Sequence, residues 1–454
     1  MVGPGDSTNR KNKLFHKFSL ALFLFCWSAC SGAAPEPSKP LPPATFATLK
    51  QRIPQLRELP FKRDVVLVDS ITDKIDDDLS GKSLAHLAPV YKRIGLLPEN
   101  TDYGKALVEY ERLQRLFSYE PQSSSIVVSP QAARIVFNLT PNSPRRFDQI
   151  PAAMALALAL QEQHFRWQER LNRIAMEDRR LAFQAVAYGD AVLLAQHYAR
   201  GSEAQTWTSA WEAITKFSAA MEREAGGLPD FLREKLIFPY REGSQFVSWA
   251  LTNRGWEGVN GLFAAPPLSS TQILHPEKYY NVKEYPRRIM PLGIMGRFPE
   301  GSIVDQTLGE FLIGRLLANQ FARDQAARIA SGWRGDYLSA YGATPQPTIV
   351  WYSSWRDEES AESFLRAFKR LLERRHRISF QPNVETQWQA TLPSRYLSLL
   401  QRNGSTIAWF DGVTSDWVRQ TNAEIWTDVE IEPESGEFPF DSARRSVQLS
   451  RKRR

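Results

Sequence analysis

Cysteine is nearly absent: the 454-residue chain has two, Cys26 and Cys30, both close to its start. Beyond them there is no disulfide framework, no thiolate metal site and no cysteine nucleophile. Histidine is scarce, with six residues, of which His86, His164, His197, His275 and His376 lie past Cys30. There is no G-x-S-x-G elbow, no P-loop and no dinucleotide fingerprint. The common serine-hydrolase, NTPase and nicotinamide-enzyme signatures are therefore missing. Internal repeats are missing as well. The apolar run Phe18–Trp27 is short of the ~20 residues that a bilayer-spanning helix needs.

What precedes and follows that run predicts export. Arg10, Lys11, Lys13 and Lys17 stand before it, against a single Asp6, and Ser28-Ala29-Cys30-Ser31-Gly32 follow it. A basic stretch, a short apolar core and a small-residue exit form a secretory signal, drawn here as residues 1–29. Trp27-Ser-Ala-Cys30 resembles a lipoprotein signal, in which Cys30 is lipidated, although Trp27 departs from the usual leucine. Ordinary cleavage near Ala29 or Ala33 is the alternative. A Pro-rich tether, 30–50, would follow the anchor as an extended spacer. Export by this route implies an outer-membrane lipoprotein facing the periplasm; the alternative cleavage implies a secreted or periplasmic protein.

The net charge of +7 invites a nucleic-acid reading, and its distribution opposes one. Without residues 1–29 the chain holds 53 basic and 49 acidic residues. Without Arg444–Arg454 as well, it holds 47 and 49. The excess is a tail rather than a binding face, and no specific nucleic-acid binding is expected.

The body, 51–412, reads as α+β and helix-rich, with an extension, 413–454, that ends in a disordered basic tail. Asp64–Asp69 and Ser124–Ser129 are strand candidates, and Tyr103–Leu116 has helical spacing. Residues 149–173 predict a helix capped by Asp148, apolar on all sides from Ile150 to Leu160 and so buried in protein. Glu177–Ala199 predicts a second long helix, and 229–345 reads as helical with turns. A strand (Thr348–Tyr352), an amphipathic helix (357–376) and a hairpin around Asn403-Gly404 close the fold. A division into two lobes, 51–345 and 346–412, is an alternative to one domain. Trp351, Trp355 and Trp409 suit either a ligand groove or core packing.

Ala159-Leu-Gln-Glu-Gln-His-Phe165 and Ala185-Val-Ala-Tyr-Gly-Asp-Ala191 give the chain a likeness. With Phe238-Pro-Tyr-Arg-Glu-Gly243, Gln272-Ile-Leu-His-Pro-Glu-Lys-Tyr279, Leu308-Gly-Glu-Phe311 and Gly332-Trp-Arg-Gly-Asp336, it resembles a family of predicted bacterial zinc metallopeptidases. Their active helix reads H-E-x-x-H-A-L-Q-D-Q-H-F. The resemblance covers roughly residues 52–412 and implies a zincin-like fold with a small strand element before the active helix. In that family two histidines one helical turn apart and a glutamate from the next helix hold Zn²⁺, and a second glutamate is the general base. Here the ligand positions are Met154, Leu158 and Tyr188, and the base position is Ala155. None of the four can bind zinc or take a proton in that way.

The resemblance therefore implies a pseudo-peptidase, with no cofactor and no catalytic residue, that binds a peptide or protein partner. Ser124–Ser129 is the strand whose edge would hold an extended peptide. One alternative is a working zinc peptidase with displaced ligands, drawn from Glu162, His164, Asp190 and His197. In the absence of metal, His164 and Asp190 are expected to hydrogen-bond between helices. Another alternative is a structural lipoprotein that links membrane and partner through its tether and tail.

Overall fold

The computed structural model describes residues 41–68, 82–129, 132, 149–200, 207–342, 346–384 and 386–434. Cys30, the export segment, Asp148 and the basic tail lie outside them. The class is α+β and helix-rich. Among the described residues, no helix is long and apolar enough to cross a membrane.

The first helix, α1 (Pro43–Arg57), starts inside the stretch expected to be tether. Proline at the start of a helix costs no hydrogen bond. From there Leu49, Ile53 and Arg57 face inward at helical spacing and are buried. The expected boundary at residue 50 therefore falls inside α1.

Strand β1 (Val66–Val68) is followed by α2 (Lys82–Ile94) and α3 (Tyr103–Gln114), whose N-cap Asp102 accepts from the Lys105 amide at 3.1 Å. Strands β2 (Phe117–Glu120) and β3 (Ser125–Val128) follow. The three strands form one sheet in the order β1-β3-β2. Strand β3 pairs in parallel with β1 on one side and antiparallel with β2 on the other. That arrangement corrects one expectation: both edges of Ser125–Val128 are taken, so β3 has none to offer a peptide.

Helix α4 (Ile150–Phe165) runs beneath this sheet and is buried on every side from Ile150 to Glu162. The single helix expected over 149–173 breaks at Arg166, which takes the left-handed conformation (φ 52°), and α5 (Trp167–Asn172) follows. The long helices α6 (Glu177–Arg200) and α8 (Asp230–Ala264) pack along each other, with α7 (Trp207–Glu224) between them in sequence. Their contact is close because Gly189 meets Gly243; a Cβ on Gly243 would overlap the Ala185 carbonyl.

Short helices α9 (Ser270–Leu274), α10 (Pro276–Tyr280) and α11 (Leu292–Met295) and strands β4 (Arg287–Pro291) and β5 (Ser302–Gln306) lead to α12 (Gly309–Ala318) and α13 (Arg323–Ala330). Strands β6 (Trp333–Tyr341) and β7 (Thr348–Trp355), helix α14 (Glu358–His376), β8 (Gln381–Val384), β9 (Gln387–Thr391), β10 (Leu397–Asn403) and β11 (Thr406–Val413) come next. The region 229–345, expected to be helical, thus contributes three strands.

The large sheet is antiparallel, in the order β5-β6-β7-β11-β10-β9-β8. The alternative lobe boundary at 345/346 runs between β6 and β7, which are paired, so one sheet spans it. Along β7 and β11 successive residues enter opposite cores. Trp351 and Trp409 pack against Phe368 of α14, while Tyr352 and Phe410 belong to a second cluster with Ile289 and Ile425. The three tryptophans considered for a groove, Trp351, Trp355 and Trp409, are core. Helix α15 (Ser415–Thr421) and β12 (Val429–Pro433), which pairs with β4, return the extension to the body.

Candidate functional site

Helix α4 and the facing part of α6 are where the expected resemblance to zinc peptidases would put a metal. Met154, Ala155 and Leu158 are each at most 1% exposed. Tyr188 on α6 is half-buried, with its ring edge-on to Trp167 at 5.9 Å and to Tyr240 at 5.1 Å. Trp167 Nε1 donates to the Leu158 carbonyl at 3.3 Å, closing the indole over the helix. Burial pushes the Tyr188 phenol well above its ordinary value, so it stays neutral. A thioether, a methyl, an isobutyl group and a neutral phenol do not fit Zn²⁺. Two imidazoles and a carboxylate left there without metal would be costly, whereas the apolar groups present pack without unpaired polar atoms.

The four polar residues considered for a displaced site do not meet. Glu162 accepts from the Gln168 amide at 2.6 Å and so caps α5; burial raises its carboxyl. His164 Nε2 lies 2.7 Å from the Pro60 carbonyl, and His197 is exposed beside Thr48 and Arg52. The expected His164–Asp190 bond is not formed. Asp190, fully buried, instead receives Arg57 Nε at 3.2 and 3.1 Å and Gln161 Nε2 at 3.0 Å. Desolvation raises its carboxyl despite the Arg57 charge. The Arg57 guanidinium also lies over Trp256 at 4.6 Å, tying α1 to α6 and α8. Among the described residues, no group of three or more His, Cys, Asp and Glu is placed to hold a metal ion.

A second polar cluster joins segments that the motif reading named without giving them a role. Asp336 on β6 accepts the Leu308 and Gly309 amides at 2.9 and 3.0 Å. It also accepts Nε1 of Trp333 and of Trp351, at 2.9 and 3.0 Å. Asp178 on α6 accepts the Ser270 amide at 3.1 Å, and Ser270 Oγ accepts the Phe311 amide at 3.1 Å. Glu310 Oε1 meets His275 Nε2 at 2.7 Å. Burial drives the Asp178 carboxyl well above its ordinary value, and the nearby Asp336 and Glu310 charges add to the effect. Asp336 and Asp178 serve backbone amides and indoles, which makes them braces between α6, α12 and the large sheet. An acid follows Gly-Trp closely in Gly332-Trp-Arg-Gly-Asp336, but nothing in that motif reveals the Leu308, Gly309 and Trp351 donors that join Trp333 on Asp336.

Residues 297–422 match the model of a domain of unknown function, DUF8575. That span holds β5 to β11, α12 to α14 and α15, which is the large antiparallel sheet with its covering helix. No curated protein matches, and no solved structure matches.

Proposed function

We propose that the chain is a zincin-like pseudo-peptidase of the bacterial envelope, held by a lipid on Cys30, that acts by binding a peptide or protein partner. The observation that carries the reading is the complete burial of Met154, Ala155 and Leu158, with the Tyr188 ring packed edge-on against Trp167 and Tyr240. The motif order around it supports the zincin-like ancestry, and the chemistry of the four residues supports loss of the metal. The binding half of the reading moves from β3 to β1. That edge strand leaves Val66 50% and Val68 39% exposed, an apolar edge of the kind that accepts an added strand.

Metal content tests the reading. The full chain is purified without a histidine tag, incubated with excess Zn²⁺, desalted and assayed for metal per chain by mass spectrometry. The expected result is no retained zinc and no peptide hydrolysis. About one zinc per chain would overturn the reading and return attention to a peptidase with displaced ligands.

A further inference from the structure

Helix α14 segregates its charges along its length. The acids Glu358, Glu359 and Glu362 stand in its first half, and from Arg366 to Arg377 a single acid, Glu373, stands among the arginines and Lys369. The body as a whole has no basic excess, so this is a local separation of charge. Packing accounts for part of it. Arg375 Nε donates to the Lys92 carbonyl at 2.8 Å, and His376 Nε2 to the Arg93 carbonyl at 2.9 Å, which fastens the helix end to α2.

The other cations lie opposite the buried Phe364, Phe368, Leu371 and Leu372. Arg366, Arg370 and Arg374 follow one another at four-residue spacing, with Arg377 beyond them, and all four are exposed. Arg366 shares Glu362 with Arg402. Lys369, Arg370, Arg374 and Arg377 form no ion pair with any described residue. Glu373 is placed to pair with them, three residues from Arg370 and four from Lys369 and Arg377. Its carboxylate instead accepts the Phe380 amide at 3.0 Å. Like charges four residues apart oppose the helix. The helix dipole favours cations in the last turn, which covers Arg374 but neither Lys369 nor Arg370.

The row from Arg366 to Arg377 is about 16 Å long and stands on a convex helix face rather than around a hollow. It therefore suits an extended anionic surface better than a single small anion. Apolar groups lie beside it. Lys369 Nζ sits over the Trp388 ring at 5.8 Å, and Val384, on the strand paired with that of Trp388, is 57% exposed. Cations next to exposed apolar groups match the boundary of a bilayer, where headgroup phosphates lie above acyl chains. A nucleic-acid backbone offers nothing to Val384.

We propose that the outer face of α14, with the β8–β9 pair, docks on an anionic lipid surface, its arginines on headgroup phosphates and Val384 toward the acyl boundary. The choice of a membrane rests on the envelope reading above; the uncompensated charge does not.

Co-sedimentation of the full chain with vesicles tests it, in a Cys30→Ser background so that no acyl chain takes part. Vesicles of equal parts phosphatidylglycerol and phosphatidylcholine are compared with phosphatidylcholine alone. Preference for the anionic vesicles is expected, and it is expected to fall as salt screens the charges. Arg370→Glu with Arg374→Glu is expected to lower the partition by about tenfold or more. Both side chains are exposed, and far-ultraviolet circular dichroism checks that the fold is kept. Neutralising the tail (Arg451→Gln, Lys452→Gln, Arg453→Gln and Arg454→Gln) is expected to leave most of the binding. Equal sedimentation with both vesicles, unchanged binding in the α14 variant, or loss in the tail variant alone would overturn the proposal. If the α14 variant loses binding to duplex DNA but keeps it to vesicles, the occupant is a nucleic acid and the proposal also fails. Zinc content does not involve these residues, so either reading can fail without the other.

Discussion

The Tyr188 ring meets Tyr240 edge-on at 5.1 Å, in the space where the motif would set a zinc-binding glutamate. Tyr240 also packs on Phe117 and Phe217, at 5.9 and 5.7 Å, so Tyr188 is one part of an aromatic cluster. Introducing a single ligand there therefore does not make a metal site.

Leu158→His puts an imidazole among apolar neighbours with no partner to receive it. The expected loss of stability is about 2–5 kcal/mol, from lost packing together with an unpaired buried polar group. Urea denaturation of the variant and the wild-type chain measures it, and a change within about 0.5 kcal/mol would mean that the space is open rather than filled. Zinc added to the variant is expected to leave the midpoint where it is, since Met154 and Tyr188 still flank the new imidazole.

Arg57 and Asp190 form a buried pair whose two halves are unequal. Asp190→Leu leaves a guanidinium buried with no counter-charge, and is expected to cost about 3–5 kcal/mol. Replacing both residues, Arg57→Met with Asp190→Leu, removes the unpaired charge and is expected to recover much of that loss. Equilibrium unfolding of the two single variants and the double variant completes the cycle. If the double variant is as unstable as the sum of the singles, the pair is not coupled and its geometry has been misread.

How much of this was legible in the sequence varies with the range of the interaction. Helix α14 was readable because Phe364, Phe368, Leu371 and Leu372 repeat at helical spacing and Asp357 caps them. The hairpin of β10 and β11 announced itself through Asn403-Gly404, with Gly404 at positive φ. Strands β4 and β5 were hidden, since short segments between glycines and prolines carry little period, and β6, although longer, has polar residues at Arg334, Asp336 and Ser339 that blur its alternation and gains its order from pairing across the sheet. The role of Arg57 was hidden for a similar reason: its partner Asp190 lies 133 residues away. Of the candidate site, the apolar character of Met154, Ala155 and Leu158 could be read from residue identity alone, but the Trp167 and Tyr240 rings that pack on Tyr188 could not.

Gly309 sits at φ 72°, its amide bonded to Asp336, and a Cβ there would overlap the Asp178 carboxylate. Gly309→Ala is therefore strained twice, in its backbone and against a buried acid. The expected cost is about 2–4 kcal/mol, larger than that of Gly301→Ala, which shares the positive φ (80°) but meets nothing. Thermal unfolding of the two variants separates backbone strain from collision. Equal losses would remove the collision from the account.

Asp178 gives the fold a dependence on pH whose sign follows from its burial. Its carboxyl is raised well above the ordinary aspartate value of 3.8, chiefly by desolvation. In the interval between that value and the raised one, the folded chain holds a proton that the unfolded chain has released. The contribution of this group is thus complete in acid and declines as the pH rises through the interval. Asp178→Asn keeps an amide oxygen for the Ser270 N–H, which now binds the acid at 3.1 Å, and cannot ionise. The variant is expected to gain stability relative to the wild-type chain as the pH rises, and to lose that advantage in acid. Urea midpoints of both proteins from mildly acidic to neutral pH measure the difference. A difference that is flat with pH would place Asp178 in a more polar setting than its neighbours Asp336 and Glu310 imply.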